Sequence, residues 1–366
     1  VEGIAWPALP GAAGEALVCL LYQFERSQWW PETALRAAQW RQLRILLRHA
    51  RRHCPGYRHR LPAEPDPAGW REIPVLTRQQ LQQEAASLRS EAPPEAHGRR
   101  LRFATTGSTS RPVEVERSEL ALLMAEAMVV RDHLWHQRDL GGKLAVITTK
   151  VGQGEHSEWG GAVSSAFITG PAATLDIRAE PAAQLSWLRR QQPAYLLSHP
   201  SNIDSLARLS LERGEHLPGL RGVRSFGEAL PEGLRERVRR AWGVPLADTY
   251  SCEEAGTIAL QCPQHARYHC MAEHLLVEVV DEAGQPCGPG EWGRVLLTTL
   301  HNYAMPLIRY EIGDYAELGA PCPCGRGLPV LRRILGRRRN MLVTPDGRRH
   351  WPSFPARIWL RHRVIR

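Results

Sequence analysis

The sequence predicts an α/β fold built on a parallel sheet, followed by a smaller β-rich segment. Three observations predict it. Short continuous apolar runs, such as Leu144-Ala145-Val146-Ile147-Thr148 and Ala194-Tyr195-Leu196-Leu197-Ser198, read as strands buried on both faces. Stretches of helical apolar spacing stand between such runs, the pattern of a parallel sheet with crossover helices. From Leu275 onward, closely spaced apolar runs and turns replace that alternation.

The elements follow in chain order. Residues 13–61 read as helices: Ala16, Leu17, Leu20, Leu21 and Phe24 recur at helical spacing, and Trp40, Leu43, Leu46, Leu47 and Ala50 do so again before Pro55. Ile73-Pro74-Val75-Leu76 is a turn leading to a helix capped by Thr77. Residues 91–98 are a Pro/Ala loop. Leu101 and Phe103 precede a Ser/Thr/Gly-rich stretch, and the alternating run Val113-Glu114-Val115-Glu116 follows it. Ser118 caps a helix reaching Trp135. After the strand at 144–148, residues 153–161 read as a Gly-rich loop holding His156 and Trp159. The strand at 194–198 ends at His199-Pro200, and a helix runs from Ser201 to Arg213. Gly222 to Phe226 is a strand with Gly227-Glu228 at its end, Pro231 to Trp242 a helix, and Pro245 to Tyr250 a strand. In parallel sheets ligands bind beyond the C-terminal strand ends, where His199, Gly227-Glu228 and residues 250–254 lie. Residues 275–280 and 293–298, with a turn at 281–284, fit a small barrel or sheet.

Composition narrows the class. At 43% hydrophobic and 23% charged residues, the 366-residue chain is globular and long enough for more than one domain. The formal net charge of +9 fits nucleic acid, an anionic surface or anionic substrates. Lysine occurs only at 143 and 150, so arginine carries the charge, and it is scattered. No basic helix interleaved with aromatics is seen, which argues against nucleic acid. No apolar run is long enough to span a bilayer, and no leader pattern precedes the first helix. Eight unevenly spaced cysteines favour a cytoplasmic chain with thiols or a metal site over a disulfide scaffold.

Thr105-Thr106-Gly107-Ser108-Thr109-Ser110-Arg111 combines hydroxyls, a glycine and a cation, which suits a polyphosphate. Walker spacing and its lysine are absent. The stretch resembles the phosphate loop of the adenylate-forming superfamily of acyl-CoA synthetases and adenylation domains. Ser110 and Arg111 stand where that loop commonly has Gly-Lys. Asp248-Thr249-Tyr250-Ser251-Cys252-Glu253-Glu254-Ala255-Gly256 resembles the superfamily's Tyr-Gly-x-Ser/Thr-Glu element. Pro289-Gly290-Glu291-Trp292-Gly293 and Arg309-Tyr310-Glu311-Ile312-Gly313-Asp314 resemble its Pro-Gly-Glu-x-Gly and Arg-Tyr-x-x-Gly-Asp elements, and Gly336-Arg337 its hinge. The form of residues 304–314, the following Cys322-Pro323-Cys324-Gly325-Arg326, the earlier Gln261-Cys262 and the opening His53-Cys54-Pro55-Gly56-Tyr57-Arg58 resemble phenylacetate-CoA ligase and its CapK-type relatives from polysaccharide loci.

The resemblance implies the large N-terminal domain of an adenylate-forming enzyme, with most of the C-terminal lid missing from this chain. Its expected segments are a helical region over 1–100, an α/β nucleotide-binding core over 101–270, a β-rich subdomain over 271–335, and a hinge with the start of the lid over 336–366. It implies ATP-dependent adenylation of a small-molecule carboxylic acid, then transfer to coenzyme A. Delivery to an amine, a hydroxyl or a carrier-protein thiol is the alternative, and a degenerate nucleotide-binding protein the further one. It leaves a homodimer open. Thr105, Thr106, Gly107, Ser108 and Thr109 would wrap the β- and γ-phosphates, with Arg111 adding charge. Glu254 would hold Mg²⁺, an oxygen-ligated hard cation. Tyr250 would stack on adenine, with Gly227 and Glu228 lining the base; Asp314 would accept from the ribose hydroxyls, and Arg337 would reach ribose or phosphate. His156, Trp159, His199 and Phe226 are the candidate acid-pocket residues. Arg309 would brace the site. Arg339 stands where the hinge usually keeps an acid, and no lysine follows Lys150.

A metal site is a separate expectation. Cys262 and His269 precede the β-rich segment, and Cys322 and Cys324 follow it. Together they make a Cys₃His set suited to tetrahedral structural Zn²⁺, with His265 or Cys270 as substitutes for His269.

Overall fold

The computed structural model describes residues 9–104, 112–149, 152–344 and 349–351. It is mixed α/β and resolves into two compact units, each assembled from separated stretches of chain. One is built on residues 129–250 with the start of the first helix; the other on residues 19–128 and 251–349.

The first unit holds the parallel sheet. Leu246–Cys252, Gly222–Phe226, Tyr195–Ser198, Leu144–Thr148 and Ala172–Asp176 lie side by side in that order, and the short strand Gly154–His156 closes the edge antiparallel to Ala172–Asp176. Helices Pro181–Gln191, Pro200–Arg213 and Leu234–Trp242 supply the crossovers. Ala145, Ile147, Leu196 and Val223 pack against Leu185, Leu188, Ile203, Leu206, Val238 and Trp242. The alternate positions Leu144, Val146 and Leu197 are partly buried as well, which is why these strands read as unbroken apolar runs. The indole of Trp242 donates to Ser210 Oγ at 2.8 Å, satisfying the one polar atom it brings inside. Residues 153–161 are not only a loop: Gly154–His156 is a three-residue edge strand, too short to show alternation, and the helix Gly161–Ala166 follows.

The second unit is antiparallel. Its sheet runs Leu275–Val280, Trp292–Thr299, Tyr310–Leu318, Val330–Arg337, Tyr268–Cys270 and Gly256–Gln261. It is an open sheet and not a closed barrel. Asp281 fixes the turn after the first strand, its carboxylate accepting from Gln285 N at 2.8 Å, while Gly284 takes φ +82°. Helix Glu32–His53 lays Leu35, Gln39, Leu43, Leu46, Leu47 and Ala50 on its buried stripe, and Pro55 stands just past its end. Thr77 caps Arg78–Leu88 through a capping box: its side chain accepts from Gln80 N at 3.2 Å, and Gln80 Oε1 accepts from Thr77 N at 2.9 Å. Ser118 caps Glu119–Trp135 by accepting from Ala121 N at 3.2 Å.

Candidate functional site

The hairpin Arg100–Ala104 and Glu114–Ser118 brackets the phosphate-loop stretch, with Ala104 opposite Glu114. Thr105, Thr106, Gly107, Ser108, Thr109 and Arg111 lie outside the described residues. The hairpin that presents them is pinned by charge. Glu116 is buried and meets Arg89 Nε at 3.2 Å and Arg102 Nε at 2.9 Å.

Glu254 sits in the turn that follows Leu246–Cys252 and precedes Gly256–Gln261. Its carboxylate is 4% exposed. Arg78 Nη1, from the first turn of its Thr77-capped helix, lies 2.9 Å from Oε1, and the Tyr310 hydroxyl donates to the same oxygen at 3.2 Å. Burial, then the Glu254 charge, pushes the Tyr310 phenol far above its ordinary pKa, so it remains a donor. Asp314 is buried and ion-paired with Arg337 Nε at 2.9 Å, the two residues being directly opposite on neighbouring strands. Glu254, Asp314 and Arg337 also converge electrostatically on Cys252. Burial raises that thiol well above its usual pKa, the two acids raise it further, and Arg337 opposes them. Through Tyr310, which bonds Glu254 and opens the strand carrying Asp314 opposite Arg337, the structure links three predicted residues drawn from distant points of the sequence. Arg309 is a brace: at 3% side-chain exposure it donates through Nη1 to the carbonyls of Arg71 and Ile73, both at 2.7 Å, and pairs with Glu278 at 3.4 Å. Sequence reasoning gave no role to Arg78 and Tyr310. Tyr310 was visible inside the Arg-Tyr-x-x-Gly-Asp run; Arg78 had only its place beside a cap.

In the first unit, His199 and Phe226 meet at the C-terminal ends of their strands. Their ring centroids are 4.6 Å apart, and His199 Nδ1 lies 3.1 Å from the Phe226 carbonyl oxygen. Gly227 holds φ +81°, which favours glycine, and a Cβ there would crowd this imidazole at 3.1 Å from Nδ1. Glu228 holds the opening of helix Pro200–Arg213, accepting from Ser201 N at 3.0 Å and Ser201 Oγ at 3.1 Å. Tyr250 is buried at 7% exposure. Trp159 does not join His199 and Phe226. Its indole donates to the Gly142 carbonyl at 2.9 Å and its ring packs on Tyr195 and His133, at the opening ends of the strands. A glycine-rich span gave no clue to which end of the sheet the indole would reach. His156 is exposed on the edge strand.

Cys262, His269, Cys322 and Cys324 form one cluster, with all four ligand atoms within 4.8 Å of one another. Cys262 Sγ and Cys322 Sγ are 3.8 Å apart, and Cys324 Sγ is 3.3 Å from His269 Nε2. A tetrahedron with Zn–S bonds of about 2.3 Å has an edge of about 3.8 Å. Strand pairing makes the cluster: His269 lies opposite Leu260 and Val330, which draws the 261–269 hairpin to the 318–330 connection. Among the described residues His269, rather than His265 or Cys270, completes the set.

Residues 79–303 match the family described as AMP-binding enzyme. The phenylacetate-coenzyme A ligase of Thermus thermophilus is 28% identical over 336 residues, covering 86% of this chain and 72% of that protein. The Escherichia coli enzyme of the same name is 27% identical, covering 84% and 72%. Among solved structures, 2-hydroxyisobutyryl-CoA ligase in the postadenylation state superposes with a TM-score of 0.72 at 20% identity, over 90% of this chain and 73% of that one. At that identity the likeness speaks for the fold. No helix among the described residues is long and apolar enough to cross a membrane.

Proposed function

The chain belongs to the AMP-binding enzyme family, on its phenylacetate-CoA ligase branch, and we propose that it activates a small carboxylic acid as its acyl-adenylate and passes the acyl group to coenzyme A. A carboxylate oxygen of the acid attacks the α-phosphorus of ATP, and pyrophosphate leaves. The thiol of coenzyme A then attacks the acyl carbon, and AMP leaves. Two anions must be held together while charge shifts onto the departing pyrophosphate, so the chain's work is positioning and charge neutralisation.

The observation that supports this reading is geometric: buried Glu254 is held at Oε1 by Arg78 and by Tyr310, and Tyr310 opens the strand that carries Asp314 opposite Arg337. Residues 105–109 and Arg111 would take the β- and γ-phosphates. Glu254 fits Mg²⁺: it is a hard oxygen donor, and Arg78 and Tyr310 both engage the same oxygen, Oε1. A bound Mg²⁺ would neutralise phosphate charge there. Asp314 would accept from the ribose hydroxyls while Arg337 steadies it. Tyr250, Gly227 and Glu228 would line the base, and His199 with Phe226 the acid. Because Glu228 is engaged by Ser201, its part is to shape the wall.

The test is acid-dependent exchange of labelled pyrophosphate into ATP over a panel of aryl and aliphatic acids, followed by addition of coenzyme A. Exchange with one acid, lost in Glu254→Gln, and thioester formed on adding coenzyme A are expected. Exchange without thioester would redirect the acyl group to an amine, a hydroxyl or a carrier-protein thiol. ATP binding without exchange would mark a nucleotide-binding protein that has lost the chemistry.

The cysteine cluster supports a second, separable element: structural Zn²⁺ held by Cys262, His269, Cys322 and Cys324, tying two hairpins of the antiparallel sheet. Elemental analysis of the purified chain should find one zinc per molecule, and Cys324→Ser should lose it together with thermal stability. A metal-free wild-type chain that melts at the same temperature with and without added zinc would exclude it.

A further inference from the structure

Arg117 belongs to none of the motifs above, yet it stands behind the turn that carries Glu254. Strand alternation turns Glu116 and Arg117 of Glu114–Ser118 to opposite faces. Glu116 takes the hairpin's arginines; Arg117 is 8% exposed, with its guanidinium 4.2 Å from the Phe103 ring centre. Its buried Nε has no hydrogen-bond partner among the described residues. Its Nη1 is set against Gly256, where a Cβ would lie 3.6 Å from Nη1 and 3.0 Å from Ala125 Cβ. Gly256 holds φ +84°, so the missing side chain permits the turn and leaves space beside Ala125, with Arg117 in ordinary contact. From the other side His274 Nε2 lies 3.0 Å from the Ala255 carbonyl oxygen. Cys252, Glu253 and Glu254 are the acidic groups that act on the Arg117 guanidinium, favouring its charged form against burial.

A cation buried this way is expensive to desolvate, and a merely space-filling position would not keep one. We propose that Arg117 is a positioning residue that sets divalent-cation affinity at Glu254, by holding a fixed positive charge against Gly256 at the end of the turn that carries Glu254. This rests on the assignment of Glu254 to the magnesium–nucleotide complex. The chemistry gives the reason. A cation that arrives with ATP must leave with pyrophosphate in every cycle, so a buried carboxylate with no fixed counter-charge near it would hold it too tightly. Arg78 cannot serve in its place, because it touches the carboxylate that must open to the metal, whereas Arg117 Nη1 lies against Gly256, two residues past Glu254.

The experiment is a Mn²⁺ titration of the full chain, read by electron paramagnetic resonance in the presence of a non-hydrolysable ATP analogue. It compares wild type, Glu254→Gln, Arg117→Met and Arg117→Lys, with a thermal melt of each. Mn²⁺ should bind Arg117→Met several-fold more tightly than wild type, Arg117→Lys should return to the wild-type value, and Glu254→Gln should lose the site. A folded Arg117→Met with wild-type Mn²⁺ affinity overturns the proposal and leaves Glu254 as the cation ligand. Binding that survives Glu254→Gln removes the ligand assignment, and the proposal falls with it. If Arg117→Met does not fold, Arg117→Gln carries the same comparison with a polar, uncharged head.

Discussion

Two buried carboxylates, Asp132 in the parallel unit and Glu254 in the antiparallel one, are both paired with arginine, but in different ways. Asp132 has no exposed surface. Arg138 Nη1 and Arg224 Nε meet the same oxygen, Oδ2, at 2.7 and 2.9 Å, and His136 lies 3.6 Å from Oδ1. Burial alone would raise its pKa; the two guanidiniums hold it well below the carboxylate range. The adjoining cavity, lined by His133, Arg138, Arg224 and the opening residues of the strands, is about 30 Å³, room for one water. Glu254 instead has one arginine of 28% side-chain exposure on a helix start, and a turn with a glycine behind it. The first acid is locked between two guanidiniums. The second has a partner that can be displaced. The two acids therefore differ in the freedom of the partner, which is what the proposed role of Glu254 requires.

The largest effect should separate them most sharply. Asp132→Asn leaves two buried guanidiniums without their counter-charge, and should cost about 3–5 kcal/mol of unfolding free energy in urea denaturation. Glu254→Gln should spare most of that stability while lowering pyrophosphate exchange on the order of 10²-fold. Equal loss of stability in the two variants would break the distinction.

Acid should reveal a cost common to both units. Burial first, and neighbouring cations second, depress the pKa of His133 to about 2; burial and nearby histidines depress His301 to about 3, and burial holds His274 near 4. Unfolded histidines titrate near 6.5. Below that pH the unfolded chain takes up protons the folded chain refuses, so stability falls as pH drops from about 6.5 toward 4, by up to about 1.4 kcal/mol per pH unit for each group. Melting temperatures between pH 7.5 and 5 should decline, and His301→Asn should flatten the slope. A flat profile would mean these imidazoles find protons without unfolding.

The smallest effect probes the displaceable partner's footing. Thr77→Ala removes the cap of the helix that starts with Arg78, and should cost about 1 kcal/mol. If exchange falls further than stability does, Arg78 depends on that cap for its place beside Glu254.

Much of the fold was legible in the sequence, and for physical reasons. Local rules placed the caps at Thr77 and Ser118, and continuous apolar runs placed the strands at 144–148 and 195–198. The strand Ala172–Asp176 and the helix Pro181–Gln191 went unread, since a five-residue run of small side chains and a helix rich in alanine and arginine carry little periodic signal. The Cys₃His set was legible because thiols are rare and their spacing is conspicuous. Trp159 shows the limit: residue type suggested a pocket wall, but only the chain path decides which end of a sheet a side chain reaches. Arg78 and Arg117 were invisible for another reason. Each acts on a turn far along the chain, and one arginine among many scattered ones carries no mark of its partner.

The hairpin around residues 105–111 has a consequence for protein engineering. Because Ala104 faces Glu114 in register, these two residues, which flank that segment, are held about 5 Å apart. Glu116 and its arginines anchor one strand from outside the segment, and the antiparallel pairing anchors the other. The segment can therefore be handled as an exchangeable cassette, with loops of equal length grafted from other enzymes and compared for nucleotide preference on an unchanged mount.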